Sequence, residues 1–255
     1  MMRVIKVGGR PQMDAALPAA LCAAHRVQPG SLVVVHGGGD EVSTLQRLYG
    51  TTSEFKGGRR VTSDIDLEII RMALSGSANK RLVSSLVNGG APAIGLSGED
   101  AALLTATPFG EGTLGFVGVP SEVNVGLLHH LMTGGYLPVL SPVSRSTDAR
   151  LGATLNVNGD DAAAAIAVAL AADELLLVSD VEGVLVDGRT LTALASDDAQ
   201  RLIDDGIAKG GMGAKLQAAM HALDGGVRRV RISDIAAIGD LDRGTVLTRV
   251  GSTCA

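Results

Sequence analysis

Two lysines far apart in the chain, each beside glycines, carry the strongest chemical signal. Lys6 sits in the apolar run Arg3-Val4-Ile5-Lys6-Val7, and Gly8 and Gly9 follow. Lys215 follows Gly210-Gly211-Met212-Gly213-Ala214 at the start of a helical stretch. A second apolar run, Leu32-Val33-Val34-Val35-His36, ends in Gly37, Gly38 and Gly39. Glycines at strand ends let backbone N–H groups close on an anion, and a helix N-terminus behind them adds a favourable dipole. Lysines converging from distant segments would neutralise a polyphosphate. The chemistry so outlined is phosphoryl transfer.

Each signal has a plainer alternative. A lone strand-end lysine can snorkel, and three glycines can be a loose turn. Asn156-Val157-Asn158-Gly159-Asp160 sets three polar groups on one side of an extended segment, although Asp160 or Asp161 also suits a helix N-cap. Arg59 and Arg60 read equally as a surface pair or an anion contact. His36 reads as a packed or turn-stabilising imidazole, and His129 and His130 as structural. Residues 110–115 match G-x-G-x-x-G, but they lie before a hairpin-like segment. A dinucleotide site needs a strand before that motif and a helix after it. No G-x-x-x-x-G-K-[ST] is present.

The elements that must position these residues alternate. Strands are expected at 4–7, 32–35, 93–96, 137–140, 174–178, 229–232 and 245–250, and helices at 13–25, 64–88, 125–133, 160–172, 199–205 and 212–224. Residues 103–125 read as a hairpin. Within 64–88, Ile65, Ile69, Met72 and Val83 recur at roughly helical spacing. The alternation predicts an α/β fold with a mostly parallel sheet covered on both faces. A soft division near 145–155 separates two lobes, 1–150 and 151–255, that share the sheet and face one site.

With 255 residues, three Phe, two Tyr and no Trp, the core must be built from Val, Leu, Ile and Ala. The net charge of −5 and the scarcity of aromatics argue against an extended nucleic-acid surface. Cys22 and Cys254 lack metal spacing, which suits a reduced, cytoplasmic compartment. A strand begins directly after Met1-Met2, so no signal peptide is expected, and no run is long enough to span a membrane.

Taken in order, the motifs resemble the amino acid kinase family nearly end to end. They are K-V-G-G at 6–9, V-V-H-G-G-G at 34–39, R-V-T at 60–62, G-x-x-N-K at 76–80 and G-L-S-G-x-D at 95–100. G-x-V-G at 115–118, G-Y-L-P-V at 135–139, N-V-N-G-D at 156–160, S-D-V-E-G-V-L at 179–185 and G-G-M-x-x-K at 210–215 complete the set. The resemblance implies a three-layer αβα sandwich, with an acylated amino acid in the N-terminal lobe and ATP in the C-terminal lobe. Carried over by motif, Lys6 and Lys215 stabilise the transferred phosphoryl group, and Asp160 holds both lysines. Gly8, Gly9 and Gly38 offer N–H groups to phosphate oxygens. Gly38, Gly39, Arg60 and Asn156 bind the amino acid, Arg60 and Asn156 at its α-carboxylate. Asp180, Val181, Glu182, Gly183, Val184 and Leu185 form the nucleotide loop, joined by Ile207, Ala208, Lys209, Gly211 and Met212.

The implied reaction is ATP-dependent phosphorylation of the side-chain carboxylate of N-acetyl-L-glutamate, a step of arginine biosynthesis. Mg2+ would be held chiefly by ATP oxygens, with few protein ligands. A carboxylate is already a nucleophile at neutral pH, so no general base is required, and positioning and charge neutralisation carry the catalysis. N-succinylglutamate and carrier-linked 2-aminoadipate are rival substrates. A non-catalytic sensor would be expected to lack Lys6, Lys215 or Asp160. Arg10 stands where many members have a small residue, and it is expected to touch substrate or a neighbouring subunit. The five residues before Lys6 imply a homodimer without arginine inhibition.

Overall fold

Runs of Val, Leu and Ile that are apolar at both parities form strands buried on two faces. The computed structural model describes residues 1–148 and 154–249. Val250, Cys254 and the expected lobe border at 150/151 lie outside the described residues. The first half comprises β1 (Arg3–Val7), α1 (Ala16–Val27), β2 (Leu32–His36), α2 (Gly39–Leu48), β3 (Phe55–Lys56), β4 (Arg59–Arg60) and α3 (Asp64–Ile70). A π-helical stretch (Arg71–Ala78), α4 (Asn79–Asn88), β5 (Ala93–Gly98), β6 (Leu104–Pro108), β7 (Val117–Val123), α5 (Val125–Thr133) and β8 (Leu137–Ser146) follow. The second half comprises β9 (Thr154–Val157), α6 (Gly159–Ala169), β10 (Glu174–Val178), β11 (Leu185–Val186), β12 (Arg189–Thr190) and β13 (Ala193–Ala195). It ends with α7 (Ser196–Asp204), α8 (Gly210–Asp224), β14 (Arg229–Ser233) and β15 (Thr245–Thr248).

Eleven strands make one sheet in the order β13-β15-β14-β10-β1-β2-β8-β6-β7-β9, with β5 also on β8. β1 is parallel to both β10 and β2. The antiparallel pairings β14–β15, β6–β7 and β8–β9 make the sheet mixed.

Strand parity sorts the side chains into two layers. Val4, Val33, Val35, Leu175 and Leu177 share a core with residues of α5, α6 and α8. Ile5, Val34, Leu176 and Val178 share the other core with α1, α4 and the 3-10 turn Ile235–Ile238. Lys6 has the parity of Val4 and faces α6, whereas His36 has the parity of Val34 and faces α4. The sheet is therefore covered on both faces, as the αβα expectation requires.

The 64–88 run departs from simple helical spacing. A Ser63 capping box starts α3, and the π-helical stretch then shifts the phase of the side chains. Ile65 and Met72 are exposed, while Ile70, Ala73 and Leu74 are buried. The expected helix at 13–25 starts later, because Pro11–Met13 forms its own 3-10 turn and the Asp14 carboxylate accepts from the Ala16 N–H at 2.8 Å. α2, the β3–β4 hairpin and the extension of β8 to Ser146 were not expected from sequence. Residues 110–115 lie in a short turn between two antiparallel strands, so no helix follows them. Among the described residues, no helix is long and apolar enough to cross a membrane.

Candidate active site

The ends of β1 and β2 and the start of α6 build the site. Lys6 Nζ lies 2.7 Å from Asp160 Oδ1, and Lys215 Nζ lies 3.2 Å from Asp160 Oδ2. Asp160 stands in the first turn of α6, where the helix dipole favours a carboxylate. Asn158 caps that helix, its Oδ1 accepting from the Asp160 N–H at 2.7 Å. Gly159 leaves room for the lysine: a Cβ there would meet Lys6 Cε at 3.2 Å.

Two cations, Lys6 buried and Lys215 partly buried, share one buried carboxylate, so the cluster carries a net charge of +1. Burial pulls the Lys6 pKa down to about 8, with Asp160 opposing and Lys215 assisting. Burial pushes the Asp160 carboxyl up, but the two ammonium groups outweigh it and hold the pKa below its ordinary value.

Glycines close the near side. Gly38 has φ +152°, and a Cβ would strike Leu74 Cδ2 at 2.7 Å. Among the described residues, nothing accepts from the N–H groups of Gly9 or Gly38. Gly8 departs from the expected role: its N–H already donates to the Val178 carbonyl at 3.2 Å, so it does not face a ligand. Its lack of a Cβ instead lets β1 pass that same carbonyl, which a Cβ would meet at 3.3 Å.

Arg60 is buried and forms no ion pair among the described residues. Nη1 donates to Gln46 Oε1 at 2.5 Å and to Ser53 Oγ; Nη2 donates to the Gly39 carbonyl at 3.0 Å and to Ser43 Oγ at 3.1 Å. Gln46 in turn donates to Asp66 at 2.5 Å, so the nearest balancing charge is one residue removed. The Phe55 ring lies 4.6 Å from the guanidinium. Burial lowers the Arg60 pKa, against the pull of Asp66 and Asp40. Asn156 Nδ2 donates to Thr62 Oγ1 at 3.0 Å.

A cavity of about 190 Å³ is lined by Lys6, Gly9, Gly38, Gly39, Arg60, Asn156 and Asp160, so the expected amino-acid binders and two of the three expected catalytic residues converge there, with Lys215 reaching it through Asp160. Sequence reasoning did not assign Arg59, which also lines it. Arg59 pairs with Asp161 at 2.6 Å and lies 4.7 Å from the Phe109 ring. The basic pair 59–60 was the only hint of it. A larger groove of about 990 Å³ runs between α1 and Ile235–Ile238. It is mostly apolar and holds neither lysine, so volume does not mark the chemistry here.

Asp180 to Leu185 and Ile207 to Met212 lie outside the smaller cavity. Asp180 follows β10 and pairs with Arg10 at 3.1 Å, which also approaches Asp40 at 3.7 Å. Arg10 thus ties the first glycine turn to the segment after β10. Glu182 pairs with Arg243 at 2.7 Å, the Val184 N–H donates to Thr245 Oγ1 at 2.8 Å, and Leu185 starts a two-stranded hairpin. Lys209 is the N-cap residue of α8, which carries Met212 and Lys215; Ile207 is exposed, and Gly211 has open space around it.

A mixed α/β fold that brings a lysine, a carboxylate bridging it to a second lysine, and open backbone N–H groups to one cavity has the build of a phosphotransferase. The chain belongs to the amino acid kinase family, whose profile matches residues 1–234. It is 44% identical over 240 residues to a protein of Chloroflexus aurantiacus named acetylglutamate kinase, covering 93% of each chain. A crystal structure from Streptococcus mutans superposes with a TM-score of 0.86 at 29% identity, covering 97% of this chain and 98% of that one. Carbamate kinase from Giardia lamblia shares the fold, with a TM-score of 0.72 at 15% identity over 97% of this chain and 98% of its own.

Proposed function

We propose that this kinase transfers the γ-phosphoryl group of ATP to the side-chain carboxylate of N-acetyl-L-glutamate, giving N-acetyl-L-glutamyl 5-phosphate and ADP in arginine biosynthesis. One observation carries the reading: a single small cavity is lined by Arg60, a buried cation without an ion-pair partner among the described residues, and by Lys6 and Asp160, whose carboxylate also holds Lys215 at 3.2 Å. An acyl amino acid with two carboxylates suits it, one at Arg60 and Asn156 and the other aimed at phosphorus. Several relatives named acetylglutamate kinase, 40% identical or more over most of the chain, support this substrate.

The carboxylate oxygen bonds to the γ-phosphorus as the bond to the bridging oxygen of ADP breaks, and no proton need move. Lys6 and Lys215 face the charge on the phosphoryl oxygens, and Asp160 keeps them apart and in register. The N–H groups of Gly9 and Gly38 supply two further donors. Asp180 to Leu185 and Ile207 to Met212 flank the nucleotide, with residues 1–150 holding the amino acid and 151–255 the ATP. No group of three His, Cys, Asp or Glu suited to a metal occurs among the described residues. Mg2+ would therefore enter on the nucleotide phosphates. The exposed Ile65 and Met72 offer a surface that a second copy would cover, consistent with a cytoplasmic homodimer.

Hydroxylamine trapping with MgATP and N-acetyl-L-glutamate, N-succinyl-L-glutamate or free L-glutamate tests the assignment. Hydroxamate from the acetylated substrate alone is expected. Signal only from another acid would move the substrate, and silence with all three would refute the reading.

A further inference from the structure

The glycine turn at 37–39 is gripped from the face of the sheet opposite Lys6. His36 is fully buried; its Nδ1 lies 2.8 Å from the Gly37 carbonyl and its Nε2 lies 3.0 Å from Asn79 Nδ2. The same Asn79 nitrogen lies 3.0 Å from the Val139 carbonyl and 3.4 Å from the Leu96 carbonyl. Both carbonyls can only accept, so the amide nitrogen, not its oxygen, must face them. His36 Nε2 then accepts from Asn79, the ring proton sits on Nδ1, and Nδ1–H donates to Gly37. Burial lowers the imidazole pKa to about 4, against the Gly37 carbonyl and Glu41, so the ring is neutral at ordinary pH.

The π-helical stretch delivers these contacts. Asn79 is its next residue, and Leu74 and Ala78 lie against the open side of Gly38. Ser77 donates to Glu41, in the first turn of α2, at 2.5 Å. Gly95 makes room for the amide, because a Cβ there would come within 2.0 Å of Asn79 Oδ1. The Gly37 carbonyl also accepts from Gln12 Nε2 at 2.8 Å, which occupies its second lone pair.

The Gly37 carbonyl and the Gly38 N–H belong to one rigid peptide plane and point in opposite directions. We propose that His36 is a positioning residue for phosphoryl transfer: held in its Nδ1–H tautomer by Asn79, it pins the Gly37 carbonyl and so aims the Gly38 N–H at the phosphoryl oxygens. The role rests on the kinase reading above. The chemistry proceeds in front of the sheet while the device that aligns it lies behind.

His36→Asn places an amide nitrogen near the former Nδ1, and His36→Gln places it near the former Nε2. His36→Asn is expected to keep kcat within a few-fold of wild type. His36→Gln should lose about ten-fold or more in kcat, with a smaller change in KM for N-acetyl-L-glutamate and a similar Tm. Equal kcat in the two variants would overturn the role. Because either variant could fold poorly, the tautomer is also read in the wild-type protein by NMR of 15N-labelled histidine. A His36 ring protonated at Nδ1 and bare at Nε2 at pH 7 is expected, and the opposite tautomer would overturn the role. Wild-type protein inactive in the trapping assay would overturn the kinase reading and this role with it, whereas active wild type with indistinguishable variants would overturn this role alone.

Discussion

Lys6 and Arg3 lie three residues apart on β1, and each belongs to a cluster in which several cations share one buried carboxylate, two lysines on Asp160 and three arginines on Glu174. At the N-terminal end of the strand, Arg3 and Arg231 both lie 2.7 Å from Glu174. Arg231 spends its remaining donors on the carbonyls of Ala237, Asp240 and Arg243, and Arg3 reaches the Ile238 carbonyl. At the other end, among the described residues, Lys6 and Lys215 pair with Asp160 alone, and Lys6 and Asp160 line a cavity. Both clusters carry excess positive charge, but the satisfaction differs. The Arg231 guanidinium, its donors spent on a carboxylate and three carbonyls, braces the structure, and the Glu174 cluster leaves one buried donor, Arg3 Nη2, without a partner among the described residues. What marks the site is therefore a pair of compact ammonium groups with spare donors beside open backbone N–H groups.

Mutating both clusters tests that contrast most strongly. Lys6→Ala or Lys215→Ala should lower kcat by about 10³-fold or more, since each removes a cation facing the transferred group, with Tm little changed. Near-normal turnover in either variant would break the comparison. Glu174→Ala should instead cost about 3–5 kcal/mol of stability by stranding buried guanidinium groups, measured by urea unfolding. A fully stable Glu174→Ala protein would remove the bracing role.

Arg60→Ala should raise KM for N-acetyl-L-glutamate by one to two orders of magnitude, roughly the worth of a charge-assisted hydrogen bond. An effect confined to ATP would contradict its placement at the amino-acid carboxylate.

The depressed Lys6 pKa gives activity and stability opposite slopes. With a folded value of about 8 against an ordinary 10.5, Lys6 loses its charge above pH 8 in the free enzyme, and kcat/KM for ATP should fall there. Between those two values the unfolded chain binds more protons, so this group's contribution to stability rises with pH. A kcat/KM profile flat to pH 10 would show that Lys6 remains charged in the folded protein.

The smallest effect is expected at Arg10. Its pairs with Asp180 and Asp40 are exposed, and such pairs are worth about 1 kcal/mol or less. Arg10→Ala should shift KM for ATP by only a few-fold, and a hundred-fold shift would place Arg10 on the nucleotide.

How much of this was legible in the sequence depended on the range of the contact. Lys6, Asp160 and the glycines were readable because strand ends and helix starts carry local signals, and Lys215 because glycines precede it. The support around Arg60 was not. Gln46 lies on a helix, Ser53 before a hairpin and Asp66 in a capping box, and only folding brings them together. The Arg59–Asp161 pair spans 102 residues and left no local trace beyond a basic dipeptide. Helical spacing at Ile65, Ile69, Met72 and Val83 did not tell which of them are buried: Ile69 is, Ile65 and Met72 are exposed, and from Arg71 the π-helical stretch breaks the 3.6-residue period. Gly8 was expected to offer its N–H to phosphate, but the Val178 carbonyl takes that N–H and is the group its missing Cβ admits.

The central claim is that the two lysines grip the phosphoryl group in flight. It is tested most directly by the affinity of the ADP–aluminium fluoride–N-acetyl-L-glutamate complex in wild type and Lys6→Ala, measured beside N-acetyl-L-glutamate alone. The mimic is expected to bind Lys6→Ala at least about 10²-fold more weakly, while the amino acid alone binds both proteins equally. Equal affinity of the two proteins for the mimic would contradict it.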